Sequence, residues 1–297
     1  MLVCLGVLLI GLILWEVFND LWHPSGSGAL SGWIGRSVHA VFRRAPRLLP
    51  IAGPLSVILV IGAWVAALVL GFALIYVGAF PEDFRTSTGE VPLAAGGFLA
   101  SLYFSFETLI TLGYGDLVPA SQLTRFAATF EALVGFGLLT ASVSSIVLLY
   151  PALSRMRLLA RSVSHAVRAE QLAGISFAES GSEAVPAALA SAVTQLRIDL
   201  VHFPVLYYFV AREEDASVAR WMSELERLAV EGSGQQCAAT ARLAALTLQS
   251  ALDELAAILA QRFLRMEGAD RAAIFRAFAE AHGTRARTWA PPSGARA

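Results

Sequence analysis

The chain has 297 residues, of which 56% are hydrophobic and 15% are charged, and its mean hydropathy is +0.62. In soluble domains about a quarter of the residues are charged, so this composition indicates a membrane protein. The net charge of −1 argues against a nucleic-acid partner held by excess positive charge.

The first apolar window predicts a transmembrane helix within residues 1–22, ahead of a basic connector at 23–50. A helical span needs about 20 apolar residues, and Leu2 to Phe18 carries a single charge, on Glu16. The window lacks the basic start and the small-residue cleavage site of a signal peptide, and Trp22 is typical of an interfacial anchor. We therefore expect a permanent span that is additional to those that follow.

Two further windows predict an outer helix at residues 51–80 and an inner helix at 122–150. Arginines cluster in the connector before the outer helix and again after the inner helix. The positive-inside rule therefore places both clusters in the cytoplasm, the N-terminus outside and the C-terminal half inside. Glu131 lies within the inner span, and we expect it to face protein, with Thr108 or Tyr103 as a hydrogen-bond partner.

Residues 93–116 form a shorter apolar stretch that predicts a re-entrant half-helix followed by a loop. Non-helical backbone at membrane depth must be buried in protein or wetted by water. Gly113 and Gly115 alternate with larger residues, so successive carbonyl groups can point the same way and replace the hydration shell of a cation. The Thr111 hydroxyl adds an oxygen at the inner end. The predicted ion-binding residues are Thr111, Leu112, Gly113, Tyr114 and Gly115.

The string Thr-Leu-Gly-Tyr-Gly-Asp at 111–116 resembles the T-V-G-Y-G-D filter of the potassium channel superfamily, in its two-span-plus-pore-loop form (the bacterial ion channel 2 type). The resemblance covers residues 51–150. It implies an all-α membrane protein with an outer helix, pore helix, filter and inner helix, to which this chain adds one N-terminal span. Since the chain carries one filter and four loops surround an ion, the resemblance implies a homotetramer with potassium ions as its only bound group.

The resemblance also implies residues that support the filter, namely Glu107, Thr108 and Asp116. Glu107 and Asp116 match a pair that hydrogen-bonds behind the filter in some simple bacterial potassium channels, so we expect them to share a proton or a water bridge. The alternative is that Glu107 caps backbone groups of the pore loop. Leu112 replaces the usual Val, and Ile110 stands where Thr is common, which leaves weaker ion selectivity open.

Gly135 and Gly137 fall at the hinge position of the family's inner helix. They predict either a bend or close helix packing, and the sequence does not distinguish the two. Small and hydroxyl side chains follow and predict the wall of a wet cavity. The predicted pore-lining residues are Leu139, Thr140, Ser142 and Ser145.

Residues 151–290 predict a helical cytoplasmic domain, and 291–297 a flexible tail. The basic stretch 153–170 continues the inner helix or lies on the membrane face, where its arginines meet anionic lipid. Apolar spacing of three and four predicts helices near 189–207, 218–228, 248–266 and 274–278. The aromatic run 205–210 fits a core helix kinked at Pro204, or a contact with the membrane or a small ligand.

Together these features predict a potassium-selective channel of the bacterial inner membrane that conducts passively and is gated at the inner helix by an unidentified stimulus. Its expected partners are membrane lipids, monovalent cations and an unidentified cytoplasmic ligand or protein. One alternative is a weakly selective cation channel. Another is a non-conducting sensor or scaffold that acts through the helical domain. No nucleophile–base pair or metal-binding motif supports an enzyme.

Overall fold

The computed structural model describes residues 1–21, 28–86 and 96–284. The predictions for Trp22, residues 23–27, residues 93–95 and the tail at 291–297 lie outside the described residues. The chain divides into two compact units. We call them the N-terminal unit (residues 1–34 and 57–148) and the helical unit (35–56 and from 149 onward).

The chain folds almost entirely into helices, in agreement with the predicted all-α membrane fold. The first five are α1 (Leu2–Leu21), α2 (Ala29–Phe42), α3 (Leu49–Tyr76), α4 (Gly96–Leu109) and α5 (Gln122–Ala173). Within the described residues, five helical segments are long and apolar enough to cross a membrane: α1, α3, α5 and two in the helical unit, Ala184–His202 and Ala239–Leu264.

Two span boundaries differ from the sequence predictions. The outer helix α3 ends at Tyr76 rather than at residue 80, because Gly78 and Pro81 disfavour its continuation. The inner helix α5 passes through Pro151 and ends at Ala173. Its 52 residues measure roughly 78 Å at 1.5 Å per residue, so the helix extends well beyond a hydrocarbon core of about 30 Å.

Two short antiparallel strands, β1 (Phe84–Thr86) and β2 (Leu117–Pro119), enclose the loop that contains α4. The sequence analysis missed both strands. The Phe84 ring packs edge-on against Tyr76 and Phe104, with centroid distances of 5.9 Å and 4.9 Å. This cluster joins the end of α3, β1 and α4 at the base of the loop.

Helix α1 contacts α3 at a pair of glycines in the N-terminal unit. A Cβ added to Gly6 would lie 2.5 Å from the Gly71 carbonyl oxygen, so the two backbones touch there. Small residues permit this close approach between membrane helices. At the far end of α1, Glu16 accepts from the Leu30 N–H at 2.7 Å and Asp20 accepts from the Gly28 N–H at 3.0 Å. Both carboxylates therefore cap the start of α2.

The helical unit is a bundle built on the second half of α5. It contains α6 (Phe177–Ser180), α7 (Ala184–His202), α8 (Val218–Gly232), α9 (Ala239–Ile258, followed by a π-helical turn at Leu259–Leu264) and α10 (Arg271–Ala281). Leu200, Met222, Leu225, Leu248 and Leu252 lie fully buried at its centre. Arg155 of α5 makes a bidentate ion pair with the buried Asp199 of α7, at 2.7 and 2.8 Å. The second half of α5 therefore belongs to the bundle.

The aromatic run after α7 is part of this core. The helix predicted at 189–207 ends at His202, and Pro204 begins a 3-10 turn that runs to Tyr208. Tyr207 and Tyr208 are buried within the unit, and the Tyr207 ring stacks on Phe263 at 4.4 Å. The core interpretation of this run is therefore the one that the structure supports.

Helix α2 and the first turns of α3 dock on the same aromatic run. A Cβ on Gly35 would overlap the Tyr208 ring, and one on Gly53 would lie 2.6 Å from the Phe209 ring. Next to them, His39 Nε2 lies 3.0 Å from the Ala281 carbonyl oxygen. Both ring nitrogens of His282 lie 2.8 Å from carbonyl oxygens. Burial lowers the pKa of His39 and lowers that of His282 to about 4.

These two histidines predict that the helical unit loses stability in mild acid. Between about pH 6.5 and 4, His282 binds a proton in the unfolded chain but stays neutral in the folded unit. The free energy of unfolding therefore falls as the pH falls. We expect a slope of up to about 1.4 kcal/mol per pH unit for each such histidine. Urea unfolding of the full chain in detergent between pH 7.5 and 5 measures it.

The control is His165→Gln, because His165 is exposed on α5 and its loss should leave the slope unchanged. His282→Gln should remove the share of the slope that belongs to His282. A stability that does not change over this pH range would contradict the assignment.

Candidate functional site

The loop after α4 has a backbone that alternates between right- and left-handed regions. Thr111, Gly113 and Gly115 have φ values of 57°, 57° and 75°, whereas Leu112 and Tyr114 between them do not have positive φ. Such alternation points successive peptide groups the same way. A positive φ is costly for the β-branched Thr111, and strain of this kind clusters at functional sites.

The N–H groups of this loop point back to the pore helix α4. The N–H of Thr111 donates to the Thr108 carbonyl at 3.0 Å, and that of Leu112 donates to the Glu107 carbonyl at 2.8 Å. The Tyr114 N–H donates to the Glu107 carboxylate at 3.3 Å. In a trans peptide the C=O points opposite to the N–H. The carbonyl groups of residues 110, 111 and 113 therefore face away from α4.

The side of the loop to which these carbonyls point is open in the single subunit. Residues 110–116 are all exposed, and Tyr114 is 71% exposed. A Cβ added to Gly113 or Gly115 would meet no atom within 4 Å. The C-terminal end of α4, which carries partial negative charge, lies directly ahead of this oxygen row. Such an arrangement can bind a desolvated cation once its open side is covered.

The two carboxyl groups expected to pair behind the loop make different contacts. Glu107 is 3% exposed, and its carboxylate accepts from the backbone of Tyr114. Asp116 accepts from the Tyr103 hydroxyl at 3.0 Å. Among the described residues no hydrogen bond joins Glu107 to Asp116, so the structure favours the alternative in which Glu107 caps the loop backbone. Thr108 supports the loop through its carbonyl group.

Glu131 on α5 is fully buried and joins three helices. It accepts from the Tyr76 hydroxyl of α3 at 2.8 Å, and its other oxygen lies 2.5 Å from the Ser105 hydroxyl of α4. The expected partner was thus placed on the correct helix, but Thr108 and Tyr103 were the wrong residues. The sequence analysis also missed Tyr76, because this contact spans 55 positions of sequence.

The two glycines of α5 have different surroundings. A Cβ on Gly135 would overlap the Leu109 carbonyl oxygen, whereas one on Gly137 would meet no atom within 4 Å. Close packing therefore accounts for Gly135, where α5 crosses the end of α4. Gly137 lies on an exposed face.

The predicted pore-lining side chains do not share one environment. Leu139 and Thr140 are exposed, and Ser145 is half-buried and donates to the Ala141 carbonyl. Ser142 is only 6% exposed, so it differs from Leu139 and Thr140, and its place on a pore wall stays a prediction.

Among residues 1–21, 28–86 and 96–284, no cluster of three His, Cys, Asp or Glu side chains could hold a metal ion.

Known proteins resemble the part of the chain that contains this site. Residues 58–150 match the family model described as "Ion channel". The chain is 28% identical over 151 residues to the uncharacterized membrane protein YdjJ of Bacillus subtilis. These aligned residues cover 50% of this chain and 43% of that protein. It is 38% identical over 77 residues to Protein LctB of Geobacillus stearothermophilus, and these residues cover 25% of this chain and 57% of that protein.

A third relative is the inward rectifier potassium channel Kirbac3.1 of Paramagnetospirillum magnetotacticum. The identity is 31% over 106 residues, which cover 35% of this chain and 30% of that channel. Each alignment thus covers well under two thirds of the relative's own length. No solved structure matches the chain. The comparisons confirm the resemblance to the potassium channel superfamily that the loop motif indicated.

The contact at Gly135 predicts unequal effects of two matched substitutions. Gly135→Ala should destabilise the protein by about 1–3 kcal/mol, because the methyl group overlaps the Leu109 carbonyl. Gly137→Ala should leave stability unchanged or raise it by up to about 1 kcal/mol, since alanine favours the helix. Thermal unfolding of the two purified variants compares them. Equal losses at both positions would contradict the packing assignment.

Proposed function

We propose that this membrane protein, whose residues 58–150 carry the pore of the potassium channel superfamily, is a potassium-selective channel that conducts passively. The single observation that carries the proposal is the orientation of the loop peptides at Thr111 to Gly115. The N–H groups of Thr111, Leu112 and Tyr114 bond to α4, which leaves the carbonyl oxygens of residues 110, 111 and 113 as ligands for a desolvated cation.

The proposed channel is a homotetramer. One subunit leaves its carbonyl row uncovered, and a cation needs oxygens on all sides. The same subunit also exposes large apolar side chains along α5, which copies around a fourfold axis would cover. These side chains are Leu123, Phe126, Phe130 and Leu133. Membrane lipid is the proposed neighbour of α1, whose Leu8 and Leu12 are likewise exposed.

The proposed location is the bacterial inner membrane, with the N-terminus outside and the helical unit in the cytoplasm. The arginines before α3 and along the second half of α5 support this orientation. Although α7 and α9 are apolar enough to span a membrane, they are joined to each other by an ion pair between Arg197 and Glu254, at 3.0 Å. Charged pairs of this kind favour a bundle in water over two further spans.

Gating is proposed to occur at the inner helix α5, which runs without a break from the filter region into the helical unit. A ligand or partner that binds one arrangement of the bundle more tightly would shift the pore between open and closed states. The exposed Gly137 offers a point where α5 can bend, because glycine weakens a helix locally.

The filter assignment predicts that Gly113→Ala abolishes potassium flux. Gly113 has φ +57°, and alanine in that region is strained by about 1–3 kcal/mol, which would distort the oxygen row. We expect at least about a tenfold loss of potassium efflux from liposomes that contain the purified protein. The matched control is Gly62→Ala, because Gly62 lies in α3 with no neighbour within 4 Å.

The same liposomes separate the alternatives. Reversal potentials in mixed potassium and sodium would reveal a weakly selective cation channel, for which the exposed Leu112 in place of Val is the motivating feature. If a folded protein passes neither ion, the proposed conduction is wrong, and the non-conducting sensor or scaffold takes its place.

A further inference from the structure

The buried carboxyl group of Glu131 has a hydrogen-bond geometry that specifies where its proton lies. Its Oε2 accepts from the Tyr76 hydroxyl at 2.8 Å, and its Oε1 lies 2.5 Å from Ser105 Oγ. The same Ser105 Oγ also lies 3.0 Å from the Val69 carbonyl oxygen. Five oxygen atoms of α3, α4 and α5 therefore form one chain of contacts.

A serine hydroxyl has one proton to donate. If Ser105 donated its proton to Glu131, no proton would lie between Ser105 Oγ and the Val69 carbonyl oxygen, and their contact would be repulsive. Both contacts are hydrogen bonds only if Ser105 donates to Val69 and Glu131 donates to Ser105. The chain then runs from Tyr76 through Glu131 and Ser105 to Val69, with one proton in each link.

The surroundings of Glu131 also favour the neutral acid. Among the described residues no arginine or histidine pairs with it, and its side chain is 0% exposed. An ionised carboxylate without a counter-ion at membrane depth is costly. A protonated carboxyl group removes that cost and still satisfies both of its oxygens.

The position of this group connects it to the filter without touching the ions. Glu131 contacts Ser105, and one helical turn later Gly135 contacts Leu109. Helices α5 and α4 thus stay in contact over one helical turn, and Glu107, whose carboxylate accepts from the Tyr114 N–H, lies between the two contact points in sequence. A shift of α4 would carry the oxygen row with it.

We infer that Glu131 is a permanently protonated positioning residue that holds the pore helix, and through it the filter, against the outer and inner helices. This inference rests on the proposed function only for its effect on ion selectivity. The protonation state and the three-helix contact stand on the geometry alone.

Infrared spectroscopy of the full chain in lipid tests the protonation. We expect a protonated-carboxyl C=O band that disappears in Glu131→Gln and persists in the control Glu107→Gln. Because Oε2 accepts from Tyr76, Tyr76→Phe should move that band to higher frequency. A spectrum without any band that Glu131→Gln removes would overturn the protonation, whether or not the protein conducts.

Ion flux tests the positioning role. Glu131→Gln keeps a donor and an acceptor, so it should retain the potassium-over-sodium permeability ratio. Glu131→Met fills a similar volume without hydrogen bonds and should lower that ratio at least about tenfold. If Glu131→Met does not fold, Ser105→Ala, which removes one link, should lower the ratio in the same direction.

An unchanged permeability ratio in whichever folded variant lacks the link would overturn the positioning role. Absence of flux in the wild-type protein would instead count against the proposed channel and leave the infrared result as it stands.

Discussion

The structure depends on the requirement that backbone polar groups at membrane depth find partners. In a helix each N–H and each C=O is satisfied within the chain, so neither is left for an ion. Around Gly113 the two are separated: the N–H groups of Thr111, Leu112 and Tyr114 bond to Thr108 and Glu107 of α4, and the carbonyl groups of the same peptides face away from α4. In the proposed function this asymmetry creates a cation site from ordinary peptide groups, and it accompanies the positive φ values at alternate residues.

An oxygen row of this kind is only as well placed as the helix behind it. Helix α4 has 14 residues and would be marginal alone. It is fixed by the aromatic contact of Phe104 with Tyr76 and Phe84, by the hydrogen bonds of Glu131, and by the backbone contact at Gly135. Polar and apolar contacts thus act on the same short element, and the strain at Thr111 is compensated by the packing behind it.

The sequence predicts those parts of this arrangement that lie in contiguous patterns. The spans follow from apolar length and the loop from alternating glycines, because both signals are local. The partners of Glu131 were misassigned because Tyr76 and Ser105 reach it only after three helices pack. Strands β1 and β2 were missed because three residues carry no periodicity. The sequence left open whether the basic stretch 153–170 continues the inner helix or lies on the membrane face. Helix α5 runs on to Ala173, because Arg155 and the buried residues beyond it hold the helix in the bundle, and these contacts with α7 are not visible in a local pattern.

The helical unit holds the start of α3 and the second half of α5. Gly35 of α2 and Gly53 of α3 pack against Tyr208 and Phe209, and α5 is fixed to α7 by Arg155 and Asp199. Because α7 runs directly into the turn that carries Tyr208, a rearrangement of that turn would act on the start of α3 and on the continuation of α5 together. In the proposed gating at the inner helix, a bundle that binds only one helix could act on that helix alone, whereas this bundle binds both and could act on both at once.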